Sequence, residues 1–214
     1  MNLKETLRYL GYKGQQGDEQ TIGLVQECWQ ELEKTAVRRC CFREFPLKHL
    51  PDYQLDLGCF SVQSKSLWKN LEGCCQVLIF AATLGAQADM LIRRYSRLQM
   101  SKAVVMQAAA AAMLEDYCDE KNREWKAWYR ERGLYLRPRF SPGYGDFPLE
   151  CQPALLKGLE AGKRLGIVLT DTFLMTPSKS VTAVIGVSCQ DRQCLVKGCE
   201  ACGKRDCEYR RETV

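Results

Sequence analysis

The sequence lacks several features that would assign it to a functional class at once. No apolar stretch reaches the roughly 18 residues that a membrane-spanning helix needs, and the longest, VVMQAAAAAML, is short and rich in alanine. The amino-terminal stretch MNLKETLRYLGYKG is charged from its first turn and has no apolar signal-peptide core. We therefore expect no membrane span and a cytoplasmic location.

Histidine and clustered positive charge are also scarce. The single histidine, His49, lies in PLKHLPDY, and there is no Ser/His/Asp or Cys/His arrangement of the kind that nucleophilic catalysis uses. The 31 Lys and Arg residues give a net charge of +5, but acidic residues are interspersed among them. No basic block would follow a phosphate backbone, so nucleic acid is not indicated as a partner.

The composition is that of a folded domain. Apolar residues make up 46% and charged residues 27% of the 214 residues, which is enough for one sizeable core. Helical and strand-like segments follow one another without a strict βαβ alternation. This order predicts an α+β fold with a mixed or antiparallel twisted sheet and several long helices.

The apolar spacing and the capping residues place these elements along the chain. Asp18 and Ser64 are expected to cap helices, and QVLIFAATLG reads as a buried strand. Helices are predicted over 3–10, 19–38, KSLWKNLEG, 86–97, 101–132 and 149–165, and further strands over CCFREFPL, YQLDLGCFSV, LYLRPRF and VTAVIGVS.

The sequence contains 13 cysteines, an odd number that cannot pair completely within one chain. We interpret the scattered ones as small buried apolar side chains, which is how a free cysteine usually behaves. These are Cys28, Cys40, Cys41, Cys59, Cys74, Cys75, Cys118 and Cys151.

The last residues differ in composition from the rest. The sequence divides into a main domain over 1–187 and a Cys-rich tail over 188–214, in which large apolar residues are rare. Four cysteines in C-x4-C-x2-C-x4-C spacing can converge on one ion or cluster without a preformed core, and Cys189 is a candidate fifth ligand. Spacing alone leaves zinc, an iron–sulfur cluster and free thiols open. The four are Cys194, Cys199, Cys202 and Cys207.

The stretch RFSPGYGDFP, at 139–148, carries the first functional indication. Pro142 and Gly143 predict a tight turn that brings Arg139 and Tyr144 close together. A guanidinium can hold a carboxylate with two hydrogen bonds, a tyrosine offers a flat face, and the backbone near Ser141 is left open. These groups suit a ligand that joins an amino acid to a nucleoside.

A wider pattern resembles a known family. RFSPGY, a helix, and then LTDTFLMTPSKSVTAVIG resemble the reactivation domain of cobalamin-dependent methionine synthase, which binds S-adenosylmethionine. The close match covers 139–186, and a looser one extends back through the Ala-rich helix. The family pattern is matched by Arg139, Pro142, Gly143, Tyr144, Leu169, Thr170, Asp171, Thr172, Phe173, Met175, Pro177, Ser180, Val181 and Thr182.

The resemblance implies reductive reactivation of an oxidised cobalamin by S-adenosylmethionine and an electron from a flavodoxin- or ferredoxin-type reductant. Because the sequence has no D-x-H-x-x-G corrinoid motif, it implies a module acting on a separate corrinoid-binding methionine synthase or other methyltransferase. The protein would then be a component of that methyltransferase activity. The need for an electron favours the iron–sulfur interpretation of the tail.

The resemblance also implies roles for four residues. Arg139 would hold the ligand carboxylate, the Ser141 backbone would contact adenine, Tyr144 would pack against the ligand, and Glu115 would meet its amino group. A second tyrosine of the family is replaced here by the Cys-rich tail. Two alternatives stay open: a docking or adaptor module with structural zinc and no S-adenosylmethionine, and a zinc-ribbon nucleic-acid binder.

Overall fold

Nine strands build three antiparallel sheets in the computed structural model, which describes residues 1–12 and 17–191. The main sheet has four strands in the order β1–β5–β9–β6, and two small sheets contain β2–β3–β4 and β7–β8. In chain order the strands are β1 Arg39–Pro46, β2 Lys48–His49, β3 Gln54–Asp56, β4 Ser61–Gln63, β5 Gln76–Thr83, β6 Tyr135–Leu136, β7 Val168–Leu169, β8 Met175–Thr176 and β9 Ser180–Ser188.

Seven α-helices lie within the same described ranges, and the longest has 31 residues. A short 3₁₀ turn, Leu149–Cys151, leads into the sixth. The helices are α1 Leu3–Tyr9, α2 Glu19–Thr35, α3 Lys65–Asn70, α4 Ala86–Leu98, α5 Met100–Arg130, α6 Gln152–Leu159 and α7 Ala161–Leu165.

Strand β5 explains why the main sheet is buried on both faces. Successive side chains of a strand point to opposite faces, and those of Leu78 and Phe80 pack into a core with α2, α4 and α5. The alternate residues Val77 and Ile79 pack into a second core with α3, α6 and α7. The chain therefore has helices on one face of the sheet, and helices with the β2–β3–β4 sheet on the other.

Several local predictions are confirmed. The fold is α+β with antiparallel sheets. Asp18 accepts a hydrogen bond from the Thr21 amide (2.7 Å) at the start of α2, and Ser64 accepts one from Leu67 (3.1 Å) at the start of α3. Capping bonds span only three residues, which is why they can be predicted from sequence.

Two element predictions are wrong. YQLDLGCFSV is not one strand but the hairpin β3–β4. The chain turns at Gly58, which adopts a φ of +78° and donates a hydrogen bond from its amide to the Asp56 carboxylate. The helix predicted over 149–165 is interrupted, because Glu160 adopts a left-handed φ of +53° between α6 and α7.

The prediction of buried cysteines holds for some and fails for one. Cys28, Cys41, Cys74 and Cys118 are buried, whereas Cys75 is exposed at the start of β5. Cys40, Cys59 and Cys151 are half-buried.

No helix within the described residues is both long enough and apolar enough to cross a bilayer.

Candidate functional site

The segment after β6 is built as a turn that leaves the main sheet. Phe140 pairs with Val184 of β9 through two backbone hydrogen bonds of 2.9 Å, which fixes the chain next to Arg139. The Tyr144 amide then donates to the Ser141 carbonyl (3.2 Å), and Gly143 has a φ of +88° that favours glycine. The Pro-Gly turn predicted from the sequence is thus present, with Arg139 at its base.

Asp146 anchors this turn to α3. Its carboxylate accepts hydrogen bonds from the Ser64 hydroxyl (2.6 Å) and from the amides of Lys65 (2.8 Å) and Ser66 (2.9 Å). Partial burial opposes ionisation, but these hydrogen bonds outweigh it and lower the pKa of Asp146 to about 2. Sequence reasoning missed this residue, although it lies in the quoted stretch.

Helix α5 supplies the opposite side of the site. Glu115 and Asp119 are four residues apart and so lie on one helix face. Arg139 Nη2 donates to Glu115 Oε2 (3.2 Å) and to Asp119 Oδ1 (2.6 Å). Arg139 and Glu115, both predicted to contact the ligand, are therefore in contact with each other, and Asp119 joins them as a residue that sequence reasoning missed.

The Arg139 guanidinium uses only one of its three nitrogen atoms in hydrogen bonds to the described residues. Its Nε and Nη1 make no hydrogen bond to the described part of the chain, and its side chain is 19% exposed. An arginine fork can bind a planar carboxylate through two parallel N–H groups. Both such pairs of N–H groups include Nη2, which already donates to Glu115 and Asp119. An incoming anion therefore meets single N–H groups of Nε and Nη1, unless one of the two carboxylates is displaced.

Helix α1 closes a further side. Asn2 donates to Asp116 Oδ1 (2.7 Å) and ties α1 to α5. Tyr9, at the end of α1, lies near Glu115: burial, followed by the negative charge of Glu115, raises the pKa of its hydroxyl. Tyr9 therefore stays a neutral phenol beside the predicted ammonium-binding carboxylate.

Cys118 lies beneath the ion pairs on α5. It is buried, and burial raises the pKa of its thiol to about 12 even though Arg139 acts in the opposite direction. A thiol that stays protonated is a poor nucleophile and a poor metal ligand. Cys118 is thus a packing residue of the site.

Ser141 and Tyr144 lie in the same turn as Arg139 but differ in exposure. Ser141 is half-buried, whereas Tyr144 is 65% exposed at the tip of the turn. An exposed aromatic ring in this turn can cover a bound ligand or a docked partner.

The TPSKS segment has a structural role. The Ser178 amide and hydroxyl both donate to the Asp89 carboxylate, at 2.6 and 2.7 Å, and the Ser180 hydroxyl donates to Thr83 at 2.9 Å. These bonds hold the chain between β8 and β9 against the start of α4.

The predicted metal ligands Cys194, Cys199, Cys202 and Cys207 lie outside the described residues. Within residues 1–12 and 17–191, no group of three or more His, Cys, Asp or Glu side chains is placed to hold a metal ion. Cys189, the candidate fifth ligand, is exposed just after β9.

Comparisons with known proteins point to one fold. No family model matches the chain, and no curated protein matches it significantly. Among solved structures, the crystal structure of the MetH reactivation domain bound to AdoHcy matches with a TM-score of 0.64 and 18% sequence identity, over 88% of this chain and 74% of that chain. The chain has the fold of the MetH reactivation domain. This is the fold that the motifs around Arg139 predict.

Proposed function

We propose that this protein is a reactivation module that binds S-adenosylmethionine and serves a separate corrinoid-dependent methionine synthase or other methyltransferase. One observation carries the proposal. Arg139 and Glu115, 24 residues apart in sequence, meet in a fold whose structural neighbour is bound to AdoHcy. The amino-acid end of S-adenosylmethionine presents a carboxylate and an ammonium, which need a cation and an anion side by side.

Each of the four residues has a task in this proposal. The remaining N–H groups of Arg139, on Nε and Nη1, bind the ligand carboxylate, and Glu115 accepts hydrogen bonds from the ammonium. The Ser141 backbone contacts the adenine edge, and Tyr144 covers the ligand at the tip of the turn. Asp146 holds this turn against α3, so the two sides of the site keep their separation.

The protein contributes positioning rather than acid–base chemistry. The reduced cobalt of the partner is itself a strong nucleophile, and the sulfonium already activates the methyl group. The work left to this chain is to orient the ligand, to keep water out and to dock on the corrinoid protein. A flavodoxin- or ferredoxin-type protein would supply the electron.

Calorimetric titration of S-adenosylmethionine into the anaerobically purified protein tests the proposal. We expect saturable binding by the wild type and roughly a hundredfold weaker binding by Arg139→Ala, because charge-assisted hydrogen bonds to a half-buried guanidinium are worth up to about 3 kcal/mol. Arg123→Ala, an exposed arginine on α5, is the matched control and should bind normally. Equal binding by all three proteins would remove Arg139 from the site.

One observation favours the docking or adaptor alternative. The two ion pairs of Arg139 with α5 also fit a purely structural role, in which the turn is tied to the helix and no ligand binds. In that case the wild type gives no binding heat, and a corrinoid partner is retained equally by the wild type and Arg139→Ala in a pull-down.

We further propose that the residues after Ser188, which ends β9, form a metal-binding tail held by Cys194, Cys199, Cys202 and Cys207. Four thiolates suit zinc or an iron–sulfur cluster, and the electron that reactivation requires favours the cluster. Metal analysis with an absorption spectrum distinguishes them: iron, sulfide and visible absorption that dithionite bleaches identify a cluster, and colourless protein with one zinc identifies a structural site. A Cys199→Ser/Cys202→Ser variant should lose the metal in both cases.

A further inference from the structure

The charges around Arg139 do not balance. The guanidinium carries one positive charge, and it forms ion pairs with two carboxylates, Glu115 at 3.2 Å and Asp119 at 2.6 Å. Binding an amino acid requires only one carboxylate, for the ammonium, beside one guanidinium, for the carboxylate. Asp119 is therefore the carboxylate in surplus, and it makes the shorter ion pair.

The two relevant ligands differ in the charge on their sulfur atom, so a surplus negative charge in the site can distinguish them. S-Adenosylmethionine carries a positive sulfonium, whereas S-adenosylhomocysteine carries a neutral thioether at the same place. The sulfur is only two methylene groups from the α-carbon, so a ligand held by Arg139 and Glu115 would place it at a distance from this cluster comparable with the Debye length of about 8 Å. The net negative charge of the cluster attracts the sulfonium and has no charge to attract in the thioether.

We infer that Asp119 is a specificity-determining residue, which makes the site prefer the sulfonium form of the ligand over the spent thioether. The inference rests on the proposed function, since it assigns a role within that site. This role differs from positioning Arg139, because a residue that only positions the guanidinium would strengthen the binding of both ligands equally. The consequence is release of the product after methyl transfer.

The geometry allows the charge to be removed without removing the contact. In Asp119→Asn the amide oxygen can still accept the hydrogen bond from Arg139 Nη2, so the guanidinium keeps its place while the negative charge is lost. Glu120→Gln is the matched control, because it removes the same charge from the next residue of α5, where the side chain is exposed and forms no ion pair with Arg139.

The experiment measures the affinities of S-adenosylmethionine, S-adenosylhomocysteine and sinefungin for the wild type and the two variants at low salt. Sinefungin carries an amine cation in place of the sulfonium and reports on charge rather than on sulfur. In Asp119→Asn we expect the preference for the two cationic ligands over S-adenosylhomocysteine to fall about two- to fivefold, the range for a partly exposed charge. In Glu120→Gln the preference should stay as in the wild type.

The outcomes separate the inference from the proposal beneath it. If Asp119→Asn shows a smaller preference than the wild type at low salt, and this difference between the two proteins largely disappears in 0.5 M salt, the result supports a charge effect of Asp119. Equal weakening of all three ligands, or the same shift in Glu120→Gln, overturns the inference while the proposed function stands. Failure of the wild type to bind any of the three ligands overturns the proposed function and the inference with it.

Discussion

Two ion clusters of this protein share one design and differ in what surrounds them. Lys102, on α5, forms ion pairs with Glu27 (2.6 Å) and Glu31 (2.5 Å), which are four residues apart on α2. Arg139 likewise pairs with Glu115 and Asp119, four residues apart on α5. Each cluster is one cation held by two carboxylates from a single turn of helix.

The difference lies in the donors that remain. The Lys102 side chain is 6% exposed, and its ammonium also lies 4.4 Å from the Tyr95 ring centroid, so the two carboxylates and the ring together account for its contacts. Although burial opposes it, the hydrogen bonds to Glu27 and Glu31 raise the pKa of Lys102, which stays charged. Arg139 is 19% exposed and uses Nη2 alone. The first cluster thus uses its cation fully, whereas the second keeps N–H groups on Nε and Nη1 that make no hydrogen bond to the described part of the chain.

The largest effect on stability should come from Lys102→Met. Removing the cation leaves Glu27 and Glu31 next to each other without compensation, so we expect the free energy of unfolding to fall by about 1–3 kcal/mol. Ligand affinity should not change, because Lys102 is not part of the Arg139 cluster. Chemical denaturation with calorimetry measures both, and Lys121→Met, at a surface pair with Glu124 (2.8 Å), is the control. A loss of binding without a loss of stability would reverse the two roles.

A smaller effect is expected from Asp146→Ala. The variant loses three hydrogen bonds at the start of α3, so the free energy of unfolding should fall by about 1 kcal/mol. S-Adenosylmethionine affinity should fall as well, because the turn that carries Arg139 and Tyr144 loses its anchor. Asp171→Asn, at an exposed position in the β7–β8 connection, should change neither quantity. Unchanged affinity in Asp146→Ala would show that the Arg139 ion pairs hold the turn by themselves.

Acid should reproduce part of that effect. Hydrogen bonding, acting against partial burial, lowers the pKa of Asp146 from 3.8 to about 2 in the folded state. Its stabilisation is therefore complete above about pH 5 and is lost as the pH falls from 4 toward 2. The stability difference between the wild type and Asp146→Ala should shrink over that range in denaturation curves recorded at several pH values. A constant difference down to pH 2 would contradict the role of the carboxylate.

The smallest effect on stability is expected from Arg139→Ala. Its partners are partly exposed, with the Asp119 side chain at 43%, and such pairs are worth at most about 1 kcal/mol. We expect a change below about 0.5 kcal/mol in the free energy of unfolding, measured by denaturation, alongside the large loss of ligand affinity. A destabilisation as large as that of Lys102→Met would make the Arg139 cluster structural and favour the adaptor alternative.

Sequence patterns predicted the turn that follows Arg139 better than its surroundings. Pro142 and Gly143 specify a turn by their own backbone preferences, and Arg139, Ser141 and Tyr144 lie in it as expected. Glu115 was assigned to the candidate site because the Ala-rich helix that carries it resembles the corresponding helix of the family. Asp119 could have been found from the same helix, since it lies one turn further on the face of Glu115.

Other parts depended on contacts between distant segments. In the sequence, Asp146 is an ordinary turn residue. Its hydrogen bonds form only when the start of α3, at Lys65, is brought against it. The break at Glu160 falls on a non-glycine residue, and the glycines two residues to either side, Gly158 and Gly162, do not by themselves show where the chain turns. In YQLDLGCFSV, the conformation of a single glycine decided between one strand and a hairpin.

The sequence by itself determined the helix caps, the two buried strands of the main sheet, and the motif that points to the MetH reactivation domain fold. These features depend on residues within a few positions of one another, so local preferences and apolar periodicity suffice. Only the tertiary structure decided that Arg139 meets Glu115 and Asp119 and that Asp146 meets Ser64, 82 residues away. Such contacts form because the register of β5, β9 and the Phe140 bridge brings the turn between α5 and α3, and no local preference encodes that distance.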